Sequence, residues 1–207
     1  MRTRKIILAS SSPRRRKILK MAGLKFKAMS SKVNENLLIK KFQKRGFKNI
    51  VKILSLAKAK SIVETQHVAS LQGNETIVAF DTIVVCENKI ISKPRNRKDA
   101  LRKLLFLSGK EHKVYTGIAI VKLRRDIPRY VSTPIIKTDC EVTKVYMKTI
   151  SKQEALSYIN TGEPLGKAGA YGIQGKGKKF VKKISGDYLN VVGLPLRKFL
   201  AILKKIH

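Results

Sequence analysis

Residues 76–85, TIVAFDTIVV, are apolar or β-branched at nearly every position and carry one carboxylate, Asp81. Such a run reads as a β-strand, and a charge inside it is costly unless it is paired, metal-bound or facing a cleft. Asp81 therefore reads as a catalytic or metal-binding carboxylate in preference to a strand-end residue bonded to nearby amides. The flanking segments set the fold class. KIILAS (5–10) is a second strand, and Ser12 is placed to cap a helix that begins at Pro13 and stops at Gly23. KFKAMS (25–30) has strand character, and a helix is expected over about 48–65 with Ile50, Ile53, Leu54 and Ala57 on one face. NKIIS (88–92) follows the central run after a tight turn, a helix is expected over 96–109, and two long strands, 112–123 and 129–147, are joined by LRRDIP. Ser151 and Glu154 form a capping box for a helix that closes on Gly162. A Gly-rich loop (167–177), a strand KKFVKKI (178–184) and a last helix entered through Pro195 complete the chain. This alternation of strands and helices predicts an α/β fold.

With 207 residues the chain is one domain or two small lobes, and with no Trp, seven Phe and six Tyr its core should be mainly Ile, Leu and Val. Cys86 and Cys140 lack metal-ligand spacing and read as thiols of a reducing compartment. No apolar stretch is long enough for a signal peptide or for the ~20 residues of a membrane span, so a soluble, cytoplasmic protein with no membrane partner is expected. The net charge of +33 invites a nucleic-acid reading. Yet residues 1–100 hold 24 Lys and Arg against 6 acids, and the remainder 22 against 7, so the charge is not localised. A Lys-rich compositional bias explains it better than dedicated nucleic-acid binding. Nucleic acid is expected to bind only non-specifically, although any anionic ligand would be attracted.

Two further features point to such a ligand. LASSSPRRRK (8–17) leaves a strand through three serines and enters a Pro-initiated helix through three arginines. A helix N-terminus offers backbone N–H groups to an anion, whereas cations there are disfavoured without a compensating charge; Arg14 and Arg15 would add charge-assisted contacts to phosphate. Glu35 is the only acid before Glu64. Paired with Asp81 it could hold a divalent cation, because hard cations that act on phosphates prefer carboxylate oxygens. The Gly-rich loop, with Lys167 and Lys176, is a weaker candidate for wrapping the same ligand. His67, His112 and His207 are too scattered for a ligand cluster, and no G-x-x-x-x-G-K-[ST] run is present, which excludes a P-loop NTPase.

Taken in order, LASSSPRR (8–15), Glu35, LAKAK (56–60), DTIV (81–84), KP (93–94), LSGKEHKVYTG (108–117), EPLGKAGAYGIQGKG (163–177) and GDYLNVVGLPL (186–196) resemble the Maf family of septum-formation-inhibitor-like nucleoside triphosphate pyrophosphatases. The resemblance covers almost the whole chain. It implies a single domain, 1–207, with a two-lobed, inosine triphosphate pyrophosphatase-like mixed-sheet fold around a nucleotide-binding cleft. It also implies hydrolysis of a nucleoside triphosphate to the monophosphate and pyrophosphate with Mg²⁺ or Mn²⁺. By motif, Asp81 would accept the proton of the attacking water. Ser10, Arg14, Lys60 and Lys93 would line the triphosphate site, and Glu35 would join Asp81 at the metal. A homodimer is a further implication. Arg14, Thr82 and Gln174 match the dTTP/UTP branch and not the branch that prefers 7-methyl-GTP. In that reading Gln174 offers an amide donor and acceptor to a pyrimidine edge, and Thr82 keeps the pocket short beside Asp81.

Two positions depart from the family pattern. Gly166 stands where Asp is usual, which would weaken loop order or a contact to Lys167, and Phe80 stands where a small residue is usual, which would crowd the strand before Asp81. The competing function is a basic nucleic-acid- or division-associated binding protein with little catalysis.

Overall fold

Strand β1 (Lys5–Ala9) lies between β2 (Phe26–Met29) and β3 (Glu75–Cys86) and is parallel to both, with Ile7 level with Lys27 on one side and Ile77 on the other. A strand paired on both edges and covered on its faces reads as a continuous apolar run. That is why Ile6, Ile7, Leu8 and Ala9 are all buried, and why β3 buries every residue except Thr82. The computed structural model describes residues 5–65, 75–127 and 130–206. His67, His207 and Pro128, the last residue of the LRRDIP connection, therefore lie outside the described residues, while residues 123–127 of that connection are strand. Among those described, β4 (Lys89–Ile91), β5 (Glu111–Ile127), β6 (Tyr130–Met147) and β7 (Val181–Ser185) complete a seven-stranded mixed sheet of order β2-β1-β3-β5-β6-β7, with β4 antiparallel to β3. The helices are α1 (Pro13–Met21), α2 (Glu35–Phe42), α3 (Phe47–Thr65), α4 (Arg97–Leu107), α5 (Lys152–Asn160), α6 (Tyr188–Val192) and α7 (Leu196–Lys204). The expected α/β class holds. None of these helices is long and apolar enough to cross a membrane.

The chain divides into two compact units, the first formed by described residues up to Asp81, Thr116–Cys140 and Gly193 onward, the second by Thr82–Tyr115 and Glu141–Val192. The first is centred on Ile7, Ala9, Ile77, Ala79, Ala119 and Val121 from the sheet, with Ala59 and Ile62 of α3 packed on them. The helix comes so close that a Cβ built on Gly117 of β5 would lie 2.0 Å from the Val51 carbonyl oxygen, so only glycine fits there. Phe80 does not crowd its strand. Its ring meets that of Phe199 on α7 edge-on, 5.2 Å between centroids, and is fully buried.

In the second unit the turn after β3 is a two-residue hairpin in which Glu87 and Asn88 have φ of +48° and +57°, the geometry that matches strand twist. Helix α5 packs beside α4 and carries the expected Ser151–Glu154 capping box. Three elements differ from expectation. Residues 176–180 form a 3₁₀ turn and β7 starts only at Val181, because the Phe180 ring is drawn inward against Tyr158 (5.3 Å, edge-on). Helices α2 and α6 have no counterpart in the sequence reading. The first is eight residues long and buries none of them, and so short an apolar run does not by itself distinguish helix from strand. The second is five residues long and is held by Asn190, whose amide donates to the Val114 carbonyl and the Thr143 hydroxyl.

His112 is buried, with Nε2 2.8 Å from the Tyr171 hydroxyl and the two rings edge-on. Burial pulls its pKa down from 6.5 to about 4. The folded state thus stays neutral where the unfolded chain takes up a proton. Stability from this group is complete above pH 6.5, is lost as pH falls toward 4, and amounts to about 3 kcal/mol. Urea midpoints measured from pH 7 to pH 4 should fall in wild type and fall less in His112→Asn; parallel pH slopes would remove His112 as the cause.

Candidate active site

Asp81 lies deep in β3, 5% exposed, and its Oδ1 accepts a hydrogen bond from Lys58 Nζ at 2.9 Å. The same ammonium donates to Glu35 Oε1 at 2.7 Å. Glu35 opens α2, where the Asn34 side chain accepts from the Leu37 N–H, so its charge sits favourably at a helix N-terminus. The two carboxylates proposed from the sequence to share a cation are thus brought onto one cationic atom.

That atom belongs to Lys58, a residue that the motifs did not single out. The buried stripe of α3 runs Ile50, Val51, Leu54, Ser55, Lys58, Ala59, Ile62, the three-and-four spacing of a helix face. Lys60 is two residues on, about 200° around the axis, and is exposed. The signal was available in the sequence: Lys58 continues the register of Ile50 and Leu54, and a lysine in a buried stripe needs an anionic partner.

The first turn of α1 likewise holds one buried basic side chain. Arg15, not Arg14, is the buried arginine. Its Nε donates to the Gly193 carbonyl at 2.8 Å and its Nη1 to Ser10 Oγ at 3.3 Å, while Ser10 Oγ also accepts from the Ser12 N–H. Ser12 itself makes no side-chain cap. Burial pulls the Arg15 pKa down, and the charges of Asp81 and Glu35 oppose that pull. The compensation that a cation at a helix N-terminus requires therefore comes partly from within the protein. Arg14 is half-buried and Arg16 exposed.

Thr82, Lys93 and Gln174 belong to the second unit. Thr82 follows Asp81 on a continuous strand, and strand alternation sends its half-buried side chain to the opposite face, so adjacency in sequence does not set it beside Asp81. Lys93 is exposed, and its carbonyl accepts from Lys103 Nζ at 2.9 Å. Lys103 also binds Asp99 Oδ2 at 2.8 Å, and Asp99 is held well below the usual carboxylate range by its bonds from Lys103 and Arg102. Gln174 is exposed at the turn of the Gly-rich loop. That loop is not open to an external anion along its whole length: the Lys176 and Gly177 N–H groups donate to the Glu163 carboxylate, and Lys167 Nζ donates to the Glu163 carbonyl. Lys167 thus takes its partner from Glu163 and needs no Asp at 166. Gly166 has φ +76°, a conformation that glycine takes without strain.

The Maf-like protein family model matches residues 5–206. The chain belongs to the Maf-like family. It is 44% identical over 201 residues, 97% of this chain and 96% of the relative, to a protein of Thermoanaerobacter sp. (strain X514) named dTTP/UTP pyrophosphatase. Proteins of the same name from Dictyoglomus thermophilum (41% over 203 residues; 98% of this chain, 96% of the relative) and Geobacillus sp. (strain WCH70) (38% over 203 residues; 98% of each) are similar along the same length.

The residues of this Maf-like protein fit a divalent cation. Among the described residues no three His, Cys, Asp or Glu side chains form a metal-binding group. A nucleotide-bound Mg²⁺ or Mn²⁺ needs only one or two carboxylates, with phosphate and water oxygens supplying the rest. Glu35 and Asp81 are two hard oxygen donors already gathered on a positive charge. Moreover, Lys58 and Arg15 only balance the two carboxylates, so a triphosphate gains no net attraction from these four groups unless a metal joins them.

Proposed function

We propose that this Maf-like protein is a nucleoside triphosphate diphosphatase that hydrolyses dTTP and UTP to the nucleoside monophosphate and pyrophosphate. The observation that carries the reading is the Asp81–Lys58–Glu35 group, in which a buried Asp81 and a half-buried Glu35 share one ammonium, set in a chain similar over nearly its whole length to dTTP/UTP pyrophosphatases.

In this mechanism Asp81 accepts a proton from water as the water oxygen attacks the α-phosphorus. The bond from that phosphorus to the bridging oxygen breaks, and pyrophosphate leaves with the electron pair. Lys58 fixes the orientation of the Asp81 carboxylate and keeps two neighbouring acidic groups compatible. Arg15 braces Ser10 and the entry to α1, so that Ser10 and Arg14 meet the phosphates in a fixed frame. Lys93 adds charge, and its backbone is tethered through Lys103. Glu35 and Asp81 would hold Mg²⁺ or Mn²⁺, which supplies charge neutralisation of the phosphate oxygens. Gln174 would read the pyrimidine edge. The two free, buried cysteines suit a reducing compartment such as the cytoplasm.

A nucleotide panel scored for monophosphate and pyrophosphate tests the reading. The kcat/KM values for dTTP and UTP should exceed those for ATP, GTP and 7-methyl-GTP by about tenfold or more, since each buried polar group left unpaired costs ~1–3 kcal/mol. A chelator should abolish turnover and Mg²⁺ restore it. Preference for the methylated purine would overturn the substrate assignment, and release of orthophosphate in place of pyrophosphate would overturn the reaction.

A further inference from the structure

The Gly-rich loop is wound around a carboxylate of its own chain. Glu163 Oε2 accepts from the Lys176 N–H at 2.8 Å, and Oε1 accepts from the Tyr158 hydroxyl at 2.9 Å and the Gly177 N–H at 3.4 Å. The Tyr158 hydroxyl in turn accepts from the Gly172 N–H at 3.1 Å, and Lys167 Nζ stands 3.7 Å from Oε1. Burial alone would raise the Glu163 pKa, yet these donors together hold it below its ordinary value, so the group is charged and anchored. The glycines make the winding possible. A Cβ on Gly175 would lie 2.5 Å from both carboxylate oxygens, one on Gly172 2.9 Å from Oε1, and one on Gly177 2.6 Å from the Tyr158 hydroxyl. Gln174 is the exposed residue between two of these contacts.

We infer that Glu163, seconded by Tyr158, is a positioning residue for base selection: its carboxylate occupies the place a phosphate takes in other glycine loops and thereby fixes where Gln174 presents its amide. The inference rests on the proposed role of Gln174 in reading the base. It separates the loop's two apparent functions, because the N–H groups at 176 and 177 serve the internal carboxylate and Gln174 serves the ligand. A neutral amide at 163 would keep one acceptor and turn a donor toward the loop's own N–H groups.

The experiment is a double-mutant cycle in the full-length protein with Mg²⁺, comparing dTTP with ATP. Glu163→Gln should lower the dTTP/ATP ratio of kcat/KM by about tenfold, through KM for dTTP, as expected when a contacting group is displaced by about 1 Å. The same substitution in a Gln174→Ala background should change the ratio no further. Amide exchange at 176 and 177 should quicken in Glu163→Gln, and Tyr158→Phe should move ratio and exchange in the same direction by less. Three outcomes overturn the inference: an unchanged ratio despite faster exchange, an equal loss of ratio in the Gln174→Ala background, or an equal fall in kcat for both nucleotides. A wild-type enzyme that does not favour pyrimidine triphosphates overturns the substrate reading instead, and that is seen before any variant is made.

Discussion

Asp81→Asn should lose turnover on dTTP by about 10²–10⁴-fold, the range a general base contributes, while the protein still unfolds cooperatively near the wild-type temperature. The two halves of this expectation come from different features. Asparagine keeps the side-chain oxygen that accepts from Lys58 Nζ and nearly the same volume in β3. It cannot accept the proton of an attacking water, and it removes one of the two charges offered to a metal. Removing one partner of a buried ion pair usually costs ~3–5 kcal/mol, but Lys58 retains Glu35 at 2.7 Å, so the loss here should be smaller. Pyrophosphate release, followed with dTTP at saturating Mg²⁺ beside a thermal melt, measures both. Near wild-type turnover in Asp81→Asn would remove this residue from the chemistry.

What the sequence made readable was the part governed by local rules. The apolar runs 5–10 and 76–85, the capping box at Ser151 and the turn at Glu87–Asn88 each carry their own signal, and all appear where expected. A charge inside an apolar strand is likewise a local anomaly, so Asp81 stood out. Lys58 and Arg15 were harder to read, because side-chain direction in a helix depends on register and not on proximity to a motif: both lie on the buried faces of α3 and α1, next to Lys60 and Arg14 of the same motifs. Glu163 was missed for a different reason. Its partners are backbone amides 13 and 14 residues away, and nothing in a string of residues marks which carboxylate a glycine loop will close upon. The 178–184 segment failed because alternation alone could not say that Phe180 turns inward to Tyr158 and ends a 3₁₀ turn before the strand begins.

The two lysines of LAKAK give the sharpest contrast between motif and register. Lys58→Met keeps the length and apolar stem of the side chain while removing its charge, and it should lower kcat/KM by about 10²-fold or more at neutral pH, as loss of a charged group at a phosphoryl site commonly does. Lys60→Met should lower it by less, and through KM for the nucleotide, because an exposed ammonium adds charge to the triphosphate site without ordering the carboxylates. Without the ammonium, Glu35 and Asp81 are left as two like charges converging on one point, and neither is held in place. Equal damage from the two substitutions would mean that Lys58 acts through general electrostatics, and full activity in Lys58→Met would mean that the two carboxylates can work without the cation they now share.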